Sequence, residues 1–307
     1  GSLNDEVLRK LDERLKYLRN LEERKAQVLS TIEEQGNLTE ELRKAIEAAA
    51  TLVVVEDLYR PYRPKRRTRA TVAKEKGLES LANFIGLQLT KEPLEREAGK
   101  YISEEKGVAS VEEALAGAQD ILAERISDTA DYRIYIRDLT MREGVLQSSG
   151  KEGETSVYEM YYNYEEPVKR VAGHRVLALN RGEKEKFLTV KIVAPEERIL
   201  QYLEKKTITR NNPYTTPVLK AVVADSYERL IAPAIEREVR SALTEKAEEG
   251  AIQVFGKNLE QLLMQPPIVG HTVLGWDPAF RTGCKLAVVD PTGKVLDTIV
   301  IYPTAPQ

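Results

Sequence analysis

Residues 3–35, LNDEVLRKLDERLKYLRNLEERKAQVLSTIEEQ, decide the fold class. Leu8, Leu11, Leu15, Leu18, Leu21, Val28 and Ile32 recur at steps of three, four and seven with charges between them. That spacing gathers one row of apolar side chains on one face of a helix. The stretch therefore predicts a long amphipathic helix. Its apolar row has two uses: packing inside a bundle, or pairing with a second copy as a coiled coil.

Working outward, Gly36-Asn37 breaks the helix, and Asn37 or Thr39 caps the next, with Glu40 as capping-box partner to Asn37. That second helix carries Leu42, Ile46 and Ala49. Ser110-Val111-Glu112-Glu113 is another capping box and opens a helix to about Arg125; a further helix covers roughly 130–142. Gly144 leads into a short strand at 145–147, and the Gly/Ser/Glu-rich residues 148–156 read as a loop. Ser156 begins a helix carrying Tyr158, Tyr161, Tyr162 and Tyr164. These tyrosines can pack between helices or stack on bases. Residues 217–249 form an amphipathic helix that Pro233 must kink or divide. A last helix holds Ile252, Phe255, Leu259, Leu262 and Leu263 and stops at Pro266-Pro267.

Beyond it the period changes. Residues 273–275, 285–289 and 295–301 read as strands, with a turn at Asp290-Pro291-Thr292-Gly293. The expected fold is mainly α, a multi-helix array with small β elements, followed by an incomplete α/β segment. The boundary falls at 266–270, giving domains 1–266 and 267–307.

Composition narrows the function classes. The 307 residues are 42% hydrophobic and 31% charged, enough apolar surface for a real core. The net charge of −3 supplies no global field that would draw nucleic acid, so any such argument rests on local clustering. Cys284 is the one cysteine and His174 and His271 the two histidines, too few for an internal disulfide or a His/Cys metal cluster. A reducing, cytoplasmic setting is expected, with no cofactor and no membrane partner, because no apolar run is long enough to span a bilayer. The chain opens Gly1-Ser2, which reads as a scar of tag removal, and is expected to be a piece of a longer protein.

Two segments carry chemistry. The first is 57–69, DLYRPYRPKRRTR. Residues 60–76 hold eight Lys or Arg against Glu75, a local charge of about +7. Pro61 and Pro64 deny the stretch a helix interior, so it is expected on an extended surface segment. Arg60, Arg63, Lys65, Arg66, Arg67 and Arg69 are the candidate phosphate contacts, since a planar guanidinium fork suits bidentate binding. Tyr59 and Tyr62 add stacking faces. The competing reading is a structural strap, pinned to acidic helices by ion pairs. The second segment is 271–285, HTVLGWDPAFRTGCK. Asp277 ends a strand ahead of a glycine-bearing turn, the place of a metal-binding carboxylate in RNase H-type domains. Asp290 and Asp297 do not complete such a site, so Asp277 is expected to stabilise its turn rather than catalyse.

Three runs together resemble the bacterial Tex family of transcription accessory proteins: EDLYRPYRPKRRTRATVAKEKGL at 56–78, HRVLALNRGEK at 174–184 and VLGWDPAFRTGCKLAVVDPTGKVLDTIVIYP at 273–303. The resemblance covers nearly the whole chain. It implies a helical N-terminal region followed by the first strands of a RuvC/YqgF-like RNase H domain. In the family, helix-hairpin-helix elements and an OB-fold RNA-binding domain come later. It further implies a role in transcription, nucleic-acid binding (RNA or DNA) by the intact protein, and an RNase H-like domain acting as a non-catalytic scaffold. RNA polymerase or transcription factors are implied as partners. The alternatives are a protein-interaction scaffold and, in the full-length protein, a metal-dependent nuclease. The sequence departs from the family pattern at Trp276, where the family is aliphatic, and at Ala279, where it has glycine.

Overall fold

The computed structural model of the chain describes residues 5–150, 153, 155–266, 268–279 and 281–303. Expectations placed on residues 1–2, on Pro267, on 304–307 and on part of the 148–156 loop lie outside them. The chain divides into two units, Gly1–Glu248 and Glu249–Gln307.

The opening amphipathic stretch is α1 (Asp5–Glu34), and it ends where Gly36 takes a φ of 71°, a left-handed turn that glycine adopts without strain. Its apolar row has two fates. Leu21, Val28 and Ile32 are buried with Ile46 of α2 (Glu40–Ala48) and Val55 and Tyr59 of α3 (Leu52–Tyr59), forming a small core of their own. Leu8, Leu11, Leu15 and Leu18 stay exposed. Thr39 rather than Asn37 is the cap of α2, its hydroxyl accepting from the Leu42 amide.

The main core gathers around α7 (Val111–Asp128), which packs against α4 (Arg69–Glu75), α5 (Glu79–Leu87), α6 (Leu94–Ala98) and α11 (Thr216–Asp225). Its inner face is Ala114, Ala118, Ile121 and Ala123, the three alanines small enough to let neighbours approach closely. Ser110 caps it as expected, accepting from the Glu113 amide at 3.2 Å, but Glu113 reaches back to the Ala109 amide instead of that of Ser110. α8 (Ala130–Glu143) follows directly and buries Ile136 and Leu139.

A three-stranded antiparallel sheet in the order β2-β1-β3 adjoins this core. It comprises β1 (Val145–Gly150), β2 (Asn163–Pro167) and β3 (Leu188–Val193). The helix expected from Ser156 is not formed; the tyrosine segment makes one 3-10 turn, Glu159–Tyr161, and enters β2. Tyr158 and Tyr161 are buried in the main core, and Tyr162 and Tyr164 pack partly buried against it. Packing, not base stacking, is what their geometry serves. Two helices flank β3 in sequence, α9 (Gly173–Lys184) and α10 (Glu196–Thr207).

α11 continues through a π-helical stretch, Ser226–Ile231, into α12 (Ala232–Leu263). Of the kink or division expected at Pro233, the division is corrected, as is the separate last helix: the helical course runs unbroken to Leu263. Pro233 sits just after the π turn. A proline ring crowds the carbonyl four residues back, here that of Arg229, and the wider turn gives it room.

In the second unit, β4 (Val273–Asp277), β5 (Cys284–Val289) and β6 (Val295–Ile301) form an antiparallel sheet in that order. The turn between β5 and β6 is held by Asp290, whose Oδ1 accepts from the amides of Thr292 and Lys294. Leu274, Trp276 and Ile299 are exposed on this sheet. No helix among the described residues is long and apolar enough to cross a membrane.

Candidate nucleic-acid interface

The basic segment begins as α3 ends. Arg60 occupies the C-cap of that helix, residues 61–63 turn, and only 64–68 are extended. Thr68 then accepts from the Thr71 amide at 3.1 Å and starts α4 at Arg69. The expected extended run over 60–76 is thus corrected to five residues between two helices. Prolines stop the first helix, and a threonine cap opens the second as soon as they are passed.

The six candidate cations separate into two sets. Arg60 donates through Nε to Asp128 at 3.1 Å, and Lys65 pairs with the same carboxylate and with Glu124 at 3.5 Å, so both are pinned to α7. Arg67 pairs with Glu75 at 2.9 Å, an exposed contact that is weak in water. Arg63, Arg66 and Arg69 are exposed and make no side-chain hydrogen bond or ion pair among the described residues. The strap and the phosphate reading therefore divide the segment between them. Tyr59 is removed as a stacking face, being buried with the Arg24 guanidinium 5.4 Å from its ring centre. Tyr62 packs half-buried against the small core.

Beneath the strap lies a network that no local sequence pattern signals. Asp57, buried on α3, accepts from Arg133 Nε at 3.0 Å and from Arg137 Nη2 at 2.8 Å. Glu238 of α12 accepts from Arg133 Nη2 and Arg137 Nε, both at 2.8 Å. Arg133 is 1% exposed, and its Nη1 has no partner among the described residues. Arg60 feels this network: burial first, and the Arg133 charge second, hold its guanidinium below the usual arginine range.

Arg69 lies near a second group. Asp120 and Asp225 both accept from Arg229, at 3.2 and 2.6 Å. The Arg229 hydrogen bond, followed by burial, sets the Asp225 carboxyl, with a net depression; Arg69 contributes in the same direction. Burial raises Asp120 despite both arginines. Arg67, Arg69 and Lys76 line a cleft of about 470 Å³ that also reaches Asp120.

Asp277 closes β4 opposite Lys285 of β5 and is exposed. Among the described residues, no three His, Cys, Asp or Glu side chains stand together to hold a metal ion.

Comparison with known proteins follows the same division. A family model described as Tex central region-like matches residues 89–255, and one described as Tex protein YqgF-like domain matches 271–307. A Bacillus subtilis (strain 168) protein, YdcI, is 52% identical over all of this chain and 43% of its own length. The transcriptional accessory protein Tex of Neisseria gonorrhoeae is 39% identical over 98% of this chain and 41% of its own. The human S1 RNA-binding domain-containing protein 1 is 31% identical over 98% of this chain and 32% of its own. The chain spans less than half the length of these relatives. Helices gathered on α7, an antiparallel sheet where the YqgF-like match lies, and a central-region match over more than half the residues agree: the chain belongs to the Tex family.

Proposed function

We propose that this chain binds the phosphate backbone of RNA or DNA and supports transcription as a non-catalytic scaffold within a longer cytoplasmic protein. The observation that carries this is the set Arg63, Arg66 and Arg69, exposed cations that make no hydrogen bond or ion pair among the described residues, beside Arg60 and Lys65, which are tied to Asp128. Arg60 and Lys65 fix the ribbon to α7. The free three present guanidinium forks to a polyanion. The names of relatives, a transcriptional accessory protein and an S1 RNA-binding domain-containing protein, support the same direction. The domain limits proposed with this reading are 1–266 and 267–307.

The test is fluorescence anisotropy of this chain with single-stranded RNA and with duplex DNA across a salt series. Reversing Arg63, Arg66 and Arg69 to Glu is expected to lower the single-strand log–log salt slope by about 2, at roughly 0.7 per phosphate contact. An unchanged slope and affinity reject the assignment.

A second reading, a scaffold for protein partners such as RNA polymerase, is favoured by the exposed Ile252, Phe255, Leu262 and Leu263 on the last turns of α12. It predicts negligible nucleic-acid binding at moderate salt and retention of a transcription protein in a pull-down. A nuclease built on Asp277 would require divalent-metal-dependent cleavage by the full-length protein that Asp277→Asn abolishes.

A further inference from the structure

A cleft of about 560 Å³ opens where the end of α3 meets the π turn and the first part of α12. Its cations are Arg60, Arg229 and Arg237, and its apolar lining includes Val53, Leu230 and Pro233. The donors are only partly used. Arg60 gives Nε to Asp128, and neither of its Nη atoms has a partner among the described residues. Arg229 gives Nε and Nη2 to the two aspartates and keeps Nη1. Arg237 is exposed and pairs with nothing among the described residues. Two acids also line the cleft. Glu238 has both oxygens taken by Arg133 and Arg137, which leaves Glu245 as the one unengaged carboxylate.

Three further observations converge here. Arg133, bonded to the cleft residue Glu238, is buried with an orphaned Nη1, and it crowds Arg60 with a like charge. An anion seated beside Arg60 offsets that like-charge crowding. The wall bearing Arg229 and Leu230 is a π turn, a feature that concentrates at functional sites. Arg229 also bonds Asp120, which lines the cleft of Arg67, Arg69 and Lys76. The two clefts are thus linked through Asp120, and the second holds Arg69 of the basic segment.

We propose that this cleft seats one nucleotide of a single-stranded nucleic acid, its phosphate bonded by Arg60, Arg229 and Arg237 and its sugar and base resting on Val53, Leu230 and Pro233. The volume lies within the range of ordinary small-ligand sites, about 300–1,000 Å³. A duplex keeps its bases stacked inside and would leave the apolar lining unused, whereas a single strand offers phosphate and base together. No aromatic ring among the described residues lines the cleft, so the base would rest on aliphatic side chains. The inference rests on the backbone-binding function proposed above and adds a place for that backbone to go.

The test uses this chain with a labelled oligouridine and a labelled DNA duplex, in anisotropy titrations. Arg237→Glu changes an exposed, unpaired side chain, and Ala242→Phe fills the cleft from the exposed face of α12 without altering charge. Arg237→Glu is expected to weaken oligouridine binding about tenfold, the effect of one charge-assisted contact, and Ala242→Phe to weaken it about as much by occupying the space of the sugar and base. Duplex binding should change far less with Ala242→Phe. If both variants bind oligouridine like the parent while reversal of Arg63, Arg66 and Arg69 still weakens it, the nucleotide seat is wrong and the backbone function stands. If the parent binds no oligonucleotide at low salt, both fall. Displacement of the oligomer by micromolar uridine monophosphate would overturn the strand assignment in favour of a free nucleotide.

Discussion

Asp57 is the residue whose loss should damage the molecule most per atom removed. It is 4% exposed and accepts hydrogen bonds from two arginines, one of them 1% exposed. Asp57→Ala leaves the Arg133 and Arg137 charges sharing Glu238 alone, with Arg60 already close enough to repel Arg133. Removing one partner of a buried ion pair costs about 3–5 kcal/mol, because the remaining charge is stranded away from water. For a unit of this size each kcal/mol lowers the unfolding midpoint by about 2–4 °C, so 4 kcal/mol corresponds to about 8–16 °C. The opposite truncation is milder. Arg133→Met removes the orphaned Nη1 and leaves Asp57 bonded twice by Arg137, and Glu238 bonded by Arg137 Nε. Its cost is expected at about 2 kcal/mol or below, since an apolar group of similar length fills the space. Thermal and urea unfolding followed by circular dichroism measure both variants. If Asp57→Ala costs under about 1 kcal/mol, or less than Arg133→Met, the reasoning about stranded charge is refuted.

Two further outcomes follow from packing and titration. Tyr227 is buried, and desolvation, reinforced by Glu196 and Glu236, pushes its hydroxyl up to about 12 from an ordinary 10. A phenol held neutral in the folded state contributes stability that is fully present below pH 10 and is lost as pH rises towards 12, about 3 kcal/mol in all. Tyr227→Phe should flatten that alkaline decline in urea midpoints measured across the range; an unchanged decline contradicts the assignment. Gly117 of α7 stands where an added Cβ would lie 2.4 Å from Leu78 Cδ1 and 3.2 Å from Ala73 Cβ. Gly117→Ala is therefore expected to destabilise by about 1–3 kcal/mol through overpacking, despite alanine's better helix propensity, and a stabilised variant would contradict the close approach.

What the sequence made legible was the part in which each residue's role is set by its near neighbours. Steps of three and four placed α1 and α2, the Ser110 box placed α7, and the Asp290 turn placed β5 and β6, because caps and turns are settled within a few residues. The tyrosine segment misled because its spacing also suits a turn entering a strand. Its neighbour Leu188–Val193 passed unassigned although it alternates strictly. The division expected at Pro233 does not occur because a π turn makes room for its ring, and that turn begins at Ser226, whose hydroxyl donates to the Ala123 carbonyl on a distant helix.

The candidate site shows the same limit more sharply. Eight cations in seventeen residues are visible in any reading, but which of them are free depends on Asp128, Glu124, Glu113 and Glu75, and only the last is local. Arg133, Arg137, Arg229 and Arg237 are scattered along more than a hundred residues, each ordinary in its own helix. They meet Asp57 and Arg60 only because α3, α8 and α12 pack together, with Asp57 and Glu238 neutralising the two deepest. The carboxylates that turn half of the basic ribbon into architecture are thus what leave the other half, and the partly used donors of Arg60 and Arg229, available to a phosphate. A ribbon with no such anchors would carry more free charge and hold none of it in a fixed geometry. Pinning Arg60 and Lys65 to Asp128 trades nominal charge for direction, which is what recognition of a strand by a cleft requires.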